Sequence, residues 1–290
     1  MVWILNSVGC ALFYAFHGAY SKKLLKDGWN EYILLWFTFI GGIPFLIIPF
    51  LFVPFPQLNS TFWIVLFSGI GGNSLAFVLY FKAIKETELS ISIPLVSITP
   101  LFMLLTSYLI LSEVPDITGI TGILLVIAGC YTLGIFPKGY NFLQPFKNLW
   151  EDKGARYAIL VALIWSVTAN LDKVAVLNSS PFAYPLIFNI FFPIPFSSLV
   201  LGKIKRHKEQ FKLKAVLSLI FLGFLNAVMV ISQMVAIELA LASYVITIKR
   251  SGMVVSVLIG WLVFKEKRGF HHMLSASIIL FGIMLVLLFH

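Results

Sequence analysis

The sequence predicts an all-α integral membrane protein of ten transmembrane helices arranged as two inverted five-helix repeats. Three observations predict it. Of 290 residues, 60% are hydrophobic and only 11% charged, with a mean hydropathy of +0.97, where a soluble domain carries about 25% charged residues. Apolar stretches of bilayer-spanning length recur along the whole chain. The two halves also match each other in order.

The spans fall near 2–21, 31–53, 61–81, 89–111, 117–136, 155–173, 182–201, 215–237, 241–264 and 271–289. Such runs must be helical, because lipid offers no partner for an unpaired peptide group. The first span begins at Val2 without a small-residue cleavage site after a short apolar core, so it is expected to be a retained helix. The connections are short except for 139–153 and 203–214. The expected division is a first repeat over 1–138, a connecting loop over 139–153 and a second repeat over 154–290, together one transport unit.

At an offset of 153 residues, Asn73 matches Asn226, Ala83-Ile84 matches Ala236-Ile237, and Ser90 matches Ser243. Ile93 matches Ile246, Leu109 matches Leu262, Glu113 matches Glu266 and Gly129 matches Gly282. Near the start of each half the offset is 151, pairing Ala11-Leu12 with Ala162-Leu163 and Lys22 with Lys173. An odd number of spans per repeat turns the second half upside down, the plan of many transporters, whose site lies at the repeat interface near the midplane.

Charge orients the chain. Loops after the odd-numbered spans hold 18 Lys and Arg, and the opposite loops hold one, Lys173. The first set is therefore expected in the cytoplasm and both termini outside. Compact termini point to a bacterial inner membrane. The net charge of +9 sits mostly in short loops, which argues against a nucleic-acid partner. The basic 203–214 loop reads as a surface held near anionic lipid headgroups.

The remaining two cations, Lys249-Arg250, interrupt an apolar run from Leu241 to Phe264. Lys249 lies about 12 Å from one end of that run and about 21 Å from the other at 1.5 Å per residue. Neither charge snorkels easily to water from there, and each costs on the order of 2.5–3.5 kcal/mol at a helix centre. Adjacent side chains diverge by about 100°. Arg250 can grip a phosphate or carboxylate as a two-pronged fork while Lys249 acts as a point charge. The competing role is structural pairing, but Glu86, Glu88 and Glu238 lie at helix ends. The matching first-half positions, Val96 and Ser97, make the anion site asymmetric.

Other candidates are weaker. Lys173 defies the orientation bias, so it either contacts substrate or gates the outer mouth, or else pairs locally with Asp172 or simply snorkels. Lys22 shares its region with Lys23 and Lys26, which orientation alone explains. Tyr14 pairs with Trp165 across the repeat and Tyr80 with Gln233, positions able to present a ring to a sugar or base. His17 is a possible proton carrier, its imidazole titrating near neutrality, or a helix-bridging group. Asn6, Asn73, Asn170 and Asn226 read as helix bridges, with Asn170 and Tyr244 also kept as substrate contacts. Pro94 and Pro100 can kink the fourth helix, and Gly252 allows a close approach beside the basic pair. Cys10 and Cys130 lie in spans with neither disulfide nor metal-ligand spacing. No catalytic residue, metal or cofactor is predicted.

The phrase from Ser92 to Glu113 (SIPLVSITPLFMLLTSYLILSE), its counterpart from Tyr244 to Glu266 and the 5+5 repeat resemble the drug/metabolite transporter superfamily, EamA-type, over essentially the whole chain. That resemblance implies an alternating-access carrier whose fourth and ninth helices line a central cavity. The charges resemble the organophosphate and nucleotide-sugar branch: Lys22 or Lys23 near the end of the first helix, Lys173 in the sixth and Lys249-Arg250 in the ninth. The chain departs from that branch in its short termini, the lack of a plastid-type leader and a charge bias opposite to the branch's usual orientation. The resemblance implies transport of a small organic anion, phosphorylated or not, by a monomer or homodimer. An amino-acid or metabolite exporter and a flippase for a lipid-linked phosphate sugar are the alternatives. Multidrug cation export fits poorly, since the small multidrug relatives carry a first-helix glutamate and Val2–Ser21 has no acid. An enzyme fits poorly too, for want of Asp-rich, His-Glu-x-x-His or Gly-x-Ser-x-Gly motifs.

Overall fold

A computed structural model describes residues 1–87, 89–135, 152–206, 211–264 and 270–288. Most of the expected connecting loop, Glu88, Glu266 and part of the basic 203–214 loop lie outside the described residues.

The first span is α1 (Val2–Lys26), and the second comprises α2 (Glu31–Ile40), α3 (Ile43–Ile47) and a 3-10 turn at Ile48–Leu51. The third is α4 (Ser60–Glu86), the fourth is α5 (Leu89–Ser97) with α6 (Thr99–Leu111), and the fifth is α7 (Ile117–Ile135). In the second half follow α8 (Lys153–Leu177), then α9 (Ala183–Phe191) with α10 (Ser197–Arg206), then α11 (Leu213–Leu239). The ninth span is α12 (Ala242–Arg250) with α13 (Gly252–Phe264), and the tenth is α14 (Phe270–Leu288). All ten expected spans are present as helices.

Local chemistry starts several of them. The Asn30 side chain accepts from the Tyr32 amide and Asn59 from the Phe62 amide, while Asp152 accepts from Gly154. Each satisfies an amide that a helix start leaves open. The second span breaks at Gly41-Gly42, where α11 presses in: a Cβ at Gly223 would lie 2.2 Å from the Gly41 carbonyl carbon. Pro193 and Pro195 interrupt the seventh span between α9 and α10.

Packing follows the repeat. α1 lies along α11 and α4 along α8, so the first–eighth and third–sixth pairs exchange under the 153-residue relation. α7 and α14 pair with each other, Gly122 against Gly282 and Gly129 against the Ser275 carbonyl. Thr132 and Ser275 hydroxyls close that seam at 2.9 Å. Phe39, Phe77, Phe188 and Phe192 form a ring cluster between the second, third and seventh spans. Apolar side chains such as Leu5, Phe52 and Ile117 point outward, as a lipid-facing surface requires.

The fourth and ninth helices are not continuous, as their apolar runs predict, nor merely kinked at proline. Each is interrupted once, at Ile98 and at Ser251, 153 residues apart. Both interruptions carry the same pattern. Ile98 donates to the Leu95 carbonyl and Leu101 to Ile98; Ser251 donates to Ile248 and Val254 to Ser251. A single turn of i→i+3 bonding inside a long helix is a tightened, hinge-like point. Pro100 opens the first turn of α6, and Gly252 opens α13 against the Ala11 carbonyl, 2.4 Å from an added Cβ.

Candidate functional site

The basic pair ends α12 at the interruption of the ninth span. Its two side chains part as adjacent helical residues must. Lys249 Nζ donates to Gln233 Oε1 of α11 at 2.6 Å and lies 5.6 Å from the centre of the Tyr14 ring. The Arg250 guanidinium donates to Thr99 Oγ1, the first residue of α6, at 3.1 Å. It lies 5.6 Å from the centre of the Trp165 ring. Trp165 in turn packs against Tyr80 at 5.6 Å. Tyr14 and Trp165 are repeat-related, as are Gln233 and Tyr80, so a near-symmetric cradle receives an asymmetric pair of cations.

Both cations keep donors in reserve. Lys249 uses one of three and Arg250 one of five, and Arg250 Nε is buried without a partner. Among the described residues no acid lies within ion-pair distance of either side chain. Asp172 of α8 acts on Lys249 through space, as does His17 of α1. Tyr14, His17, Tyr80, Trp165, Asp172, Lys249 and Arg250 are each only partly buried.

The other candidates stand as follows. His17 Nε2 meets Thr38 Oγ1 at 3.3 Å. Ser97 is buried, with Oγ 3.4 Å from Met253 Sδ between the fourth and ninth spans. Asn170 is fully buried and bonds Ser107, Thr106 and the Ser166 carbonyl. Tyr244 is buried and donates to Asp116 at 3.0 Å. Lys22 is exposed on α1.

Lys173 does not pair with its neighbour Asp172. Its ammonium forms an ion pair with Glu113 beyond α6 and donates to the Ala240 carbonyl at 2.6 Å. The second Glu113 oxygen accepts from the Ala242 amide at 2.9 Å, at the start of α12. The fourth, sixth and ninth spans are thus tied together at one end of the bundle. Asp172 instead accepts from the Tyr184 hydroxyl at 2.5 Å. The sequence carried no signal for either pairing, since both join residues from different helices.

Two intact five-helix halves around a hinge-broken pair of helices is a transporter architecture. The sequence matches the EamA-like transporter family over residues 1–135 and again over 152–288. The chain belongs to that family. This EamA-like chain is accordingly a multi-pass membrane transporter of the drug/metabolite superfamily and not an enzyme. It is similar to a solved structure titled "Crystal structure of protein", at 17% identity and a TM-score of 0.78, over 100% of this chain and 99% of that one. That likeness concerns the fold. No curated protein matches the sequence.

A cavity of about 430 Å³ lies between α1, α11 and α13. Phe13, Phe16, Phe221, Phe224 and Ile259 line it, with Lys23 as its one charged residue.

Proposed function

We propose that this chain carries a small organic anion, phosphorylated or a carboxylate, by alternating access, and that Lys249 and Arg250 hold the anion. The observation that carries this reading is the state of the pair: two cations deep in a membrane bundle, no acid within ion-pair distance among the described residues, unused donors and a partly exposed surface. Charge kept at such a depth is costly, and a bound anion offsets the cost.

The rings fit the same role. Tyr14 and Trp165 hold the cations by their faces, an interaction worth about 0.5–2 kcal/mol. A phosphate or carboxylate can bond to the donors the rings leave free, with both cations already held in place. The tightened points at Ile98 and Ser251 lie beside the pair, so rocking one half against the other would bend both helices where the substrate sits. The Lys173–Glu113 tie closes one end, which the charge bias places outside along with both termini. Likeness to the organophosphate branch rests on Lys249 and Arg250, because Lys173 is occupied and Lys22 is exposed. A single chain supplies the whole site.

The flippase alternative is favoured by one feature, the apolar cavity between α1, α11 and α13, which has room for an acyl chain. Its lining includes neither Lys249 nor Arg250, so the anion reading stands first.

Reconstituted protein tests it. Vesicles loaded with phosphosugar, nucleotide sugar, carboxylate or amino acid should exchange labelled anion for anion in the wild type and not in Lys249→Gln or Arg250→Gln. Undiminished exchange in both variants would remove the pair from the site.

A further inference from the structure

Asp172 and Lys173 are neighbours with opposite fates. Lys173 is buried and satisfied by Glu113 and Ala240, so the cation that could have neutralised Asp172 is taken. Among the described residues Asp172 is left with one hydrogen-bond partner, the Tyr184 hydroxyl. Tyr184 cannot readily turn away, since it is buried and its ring packs edge-on to Phe62 and Phe188. An ionised carboxylate held inside a membrane bundle by one neutral hydroxyl is poorly compensated, and intramembrane carboxyls of this kind serve as proton sites.

The groups around Asp172 are few. α9 supplies Tyr184, α12 supplies Lys249, and α4 brings Gly69 close to the Tyr184 hydroxyl with no charged side chain between Ser60 and Phe81. The acid after α6, Glu113, is taken by Lys173, and Glu238 at the end of α11 is exposed. Along α8 itself Lys173 faces away to Glu113. α12, which ends in Lys249, packs against α8, and Lys249 is the cation that acts on Asp172 through space. Lys249 is also a cation of the central pair, with one neutral hydrogen-bond partner, Gln233.

We propose that Asp172 is a proton-binding site coupled to the anion site, holding Lys249 electrostatically as a carboxylate and releasing it to the substrate when protonated. The step balances simply. A proton from solution adds to a carboxylate oxygen, no covalent bond to carbon changes, and Tyr184 keeps its own proton. The central site gains one net positive charge. Anion binding is thereby strengthened, and by reciprocity a bound anion draws a proton onto Asp172. Proton and anion then travel together, which makes the carrier a proton–anion symporter. This rests on the anion reading of Lys249 and Arg250.

Two measurements on the purified full-length protein test it. First, infrared difference spectra between about pH 8 and about pH 5 should show the carbonyl stretch of a protonated carboxyl. The band should vanish in Asp172→Asn and move in Tyr184→Phe. Second, sulfate, whose charge is fixed over this range, should bind the wild type about tenfold more tightly at the acid end, or about 1.4 kcal/mol. Asp172→Asn, a neutral mimic, should bind tightly at every pH, whereas Glu238→Gln, at an exposed acid, should keep the slope. An absent Asp172 band, or a sulfate slope unchanged in Asp172→Asn, overturns the proposal. If sulfate fails to bind at any pH, the anion reading falls, and with it the symport, while the infrared titration still decides whether Asp172 takes a proton.

Discussion

Tyr14 and Trp165 stand at matching places in the two halves, and each ring carries one cation of the central pair at 5.6 Å. The symmetric part of the site is thus aromatic and the asymmetric part is charge. In the first half the residues matching Lys249 and Arg250 are Val96 and Ser97, both buried. An inverted repeat builds a two-fold cradle, and two substitutions in one helix give it a sign.

If the rings hold the cations by their faces, losing a face should matter and losing a hydroxyl should not. Trp165→Leu and Tyr14→Leu should each weaken anion binding about three- to tenfold, the equivalent of about 0.7–1.4 kcal/mol. Tyr14→Phe should bind normally. Titration calorimetry on the three proteins checks this.

The Lys173–Glu113 pair is buried on both sides, with side-chain exposures of 10% and 11%. Removing one partner strands a buried charge, so Lys173→Ala or Glu113→Ala should each cost about 3–5 kcal/mol of stability. The double variant should cost less than the two single losses together. Thermal unfolding in detergent reads the difference, and additive losses would show that the pair does not act as one unit.

Close helix contact makes a sharper contrast among glycines. Gly223 faces the Gly41 backbone at 2.2 Å from an added Cβ, whereas nothing lies within 4 Å of one at Gly71. Gly223→Val should fail to accumulate or unfold well below the wild-type temperature. Gly71→Ala should behave as wild type. Expression level and melting temperature distinguish them.

Loop charge makes a topological prediction. Gln57→Cys should react with an impermeant maleimide from outside intact cells, and Lys23→Cys only after the membrane is opened. The native Cys10 and Cys130 are buried and should stay unlabelled. The reverse pattern would invert the chain.

Much of this was legible beforehand. The ten spans follow from apolar run length, and the halves from Asn73 with Asn226 and Gly129 with Gly282. The pair at 249–250 was visible because a charge in apolar sequence has no bland partner nearby. Tyr14, Trp165, Tyr80 and Gln233 were visible only as repeat mates; their arrangement around the cations depends on which helices meet. The interruptions at Ile98 and Ser251 were hidden, since one tightened turn demands no special residue, and Pro100 and Gly252 mark them only from one or two positions away. The partners of Lys173 and Asp172 were hidden for a plainer reason: Glu113 is 60 residues from Lys173 in sequence, and spacing along a chain says nothing about such a contact.

The most direct measurement is thermal stabilisation of the purified protein by inorganic phosphate, phosphosugars, nucleotide sugars, carboxylates and zwitterionic amino acids. Lys249→Gln and Arg250→Gln would be measured beside the wild type. A ligand that binds only the folded state at about 100 times its Kd adds about 2.7 kcal/mol. An anion site at Lys249 and Arg250 predicts that one anionic class raises the melting temperature of the wild type and leaves both variants unmoved. Stabilisation of both variants as large as that of the wild type would contradict it.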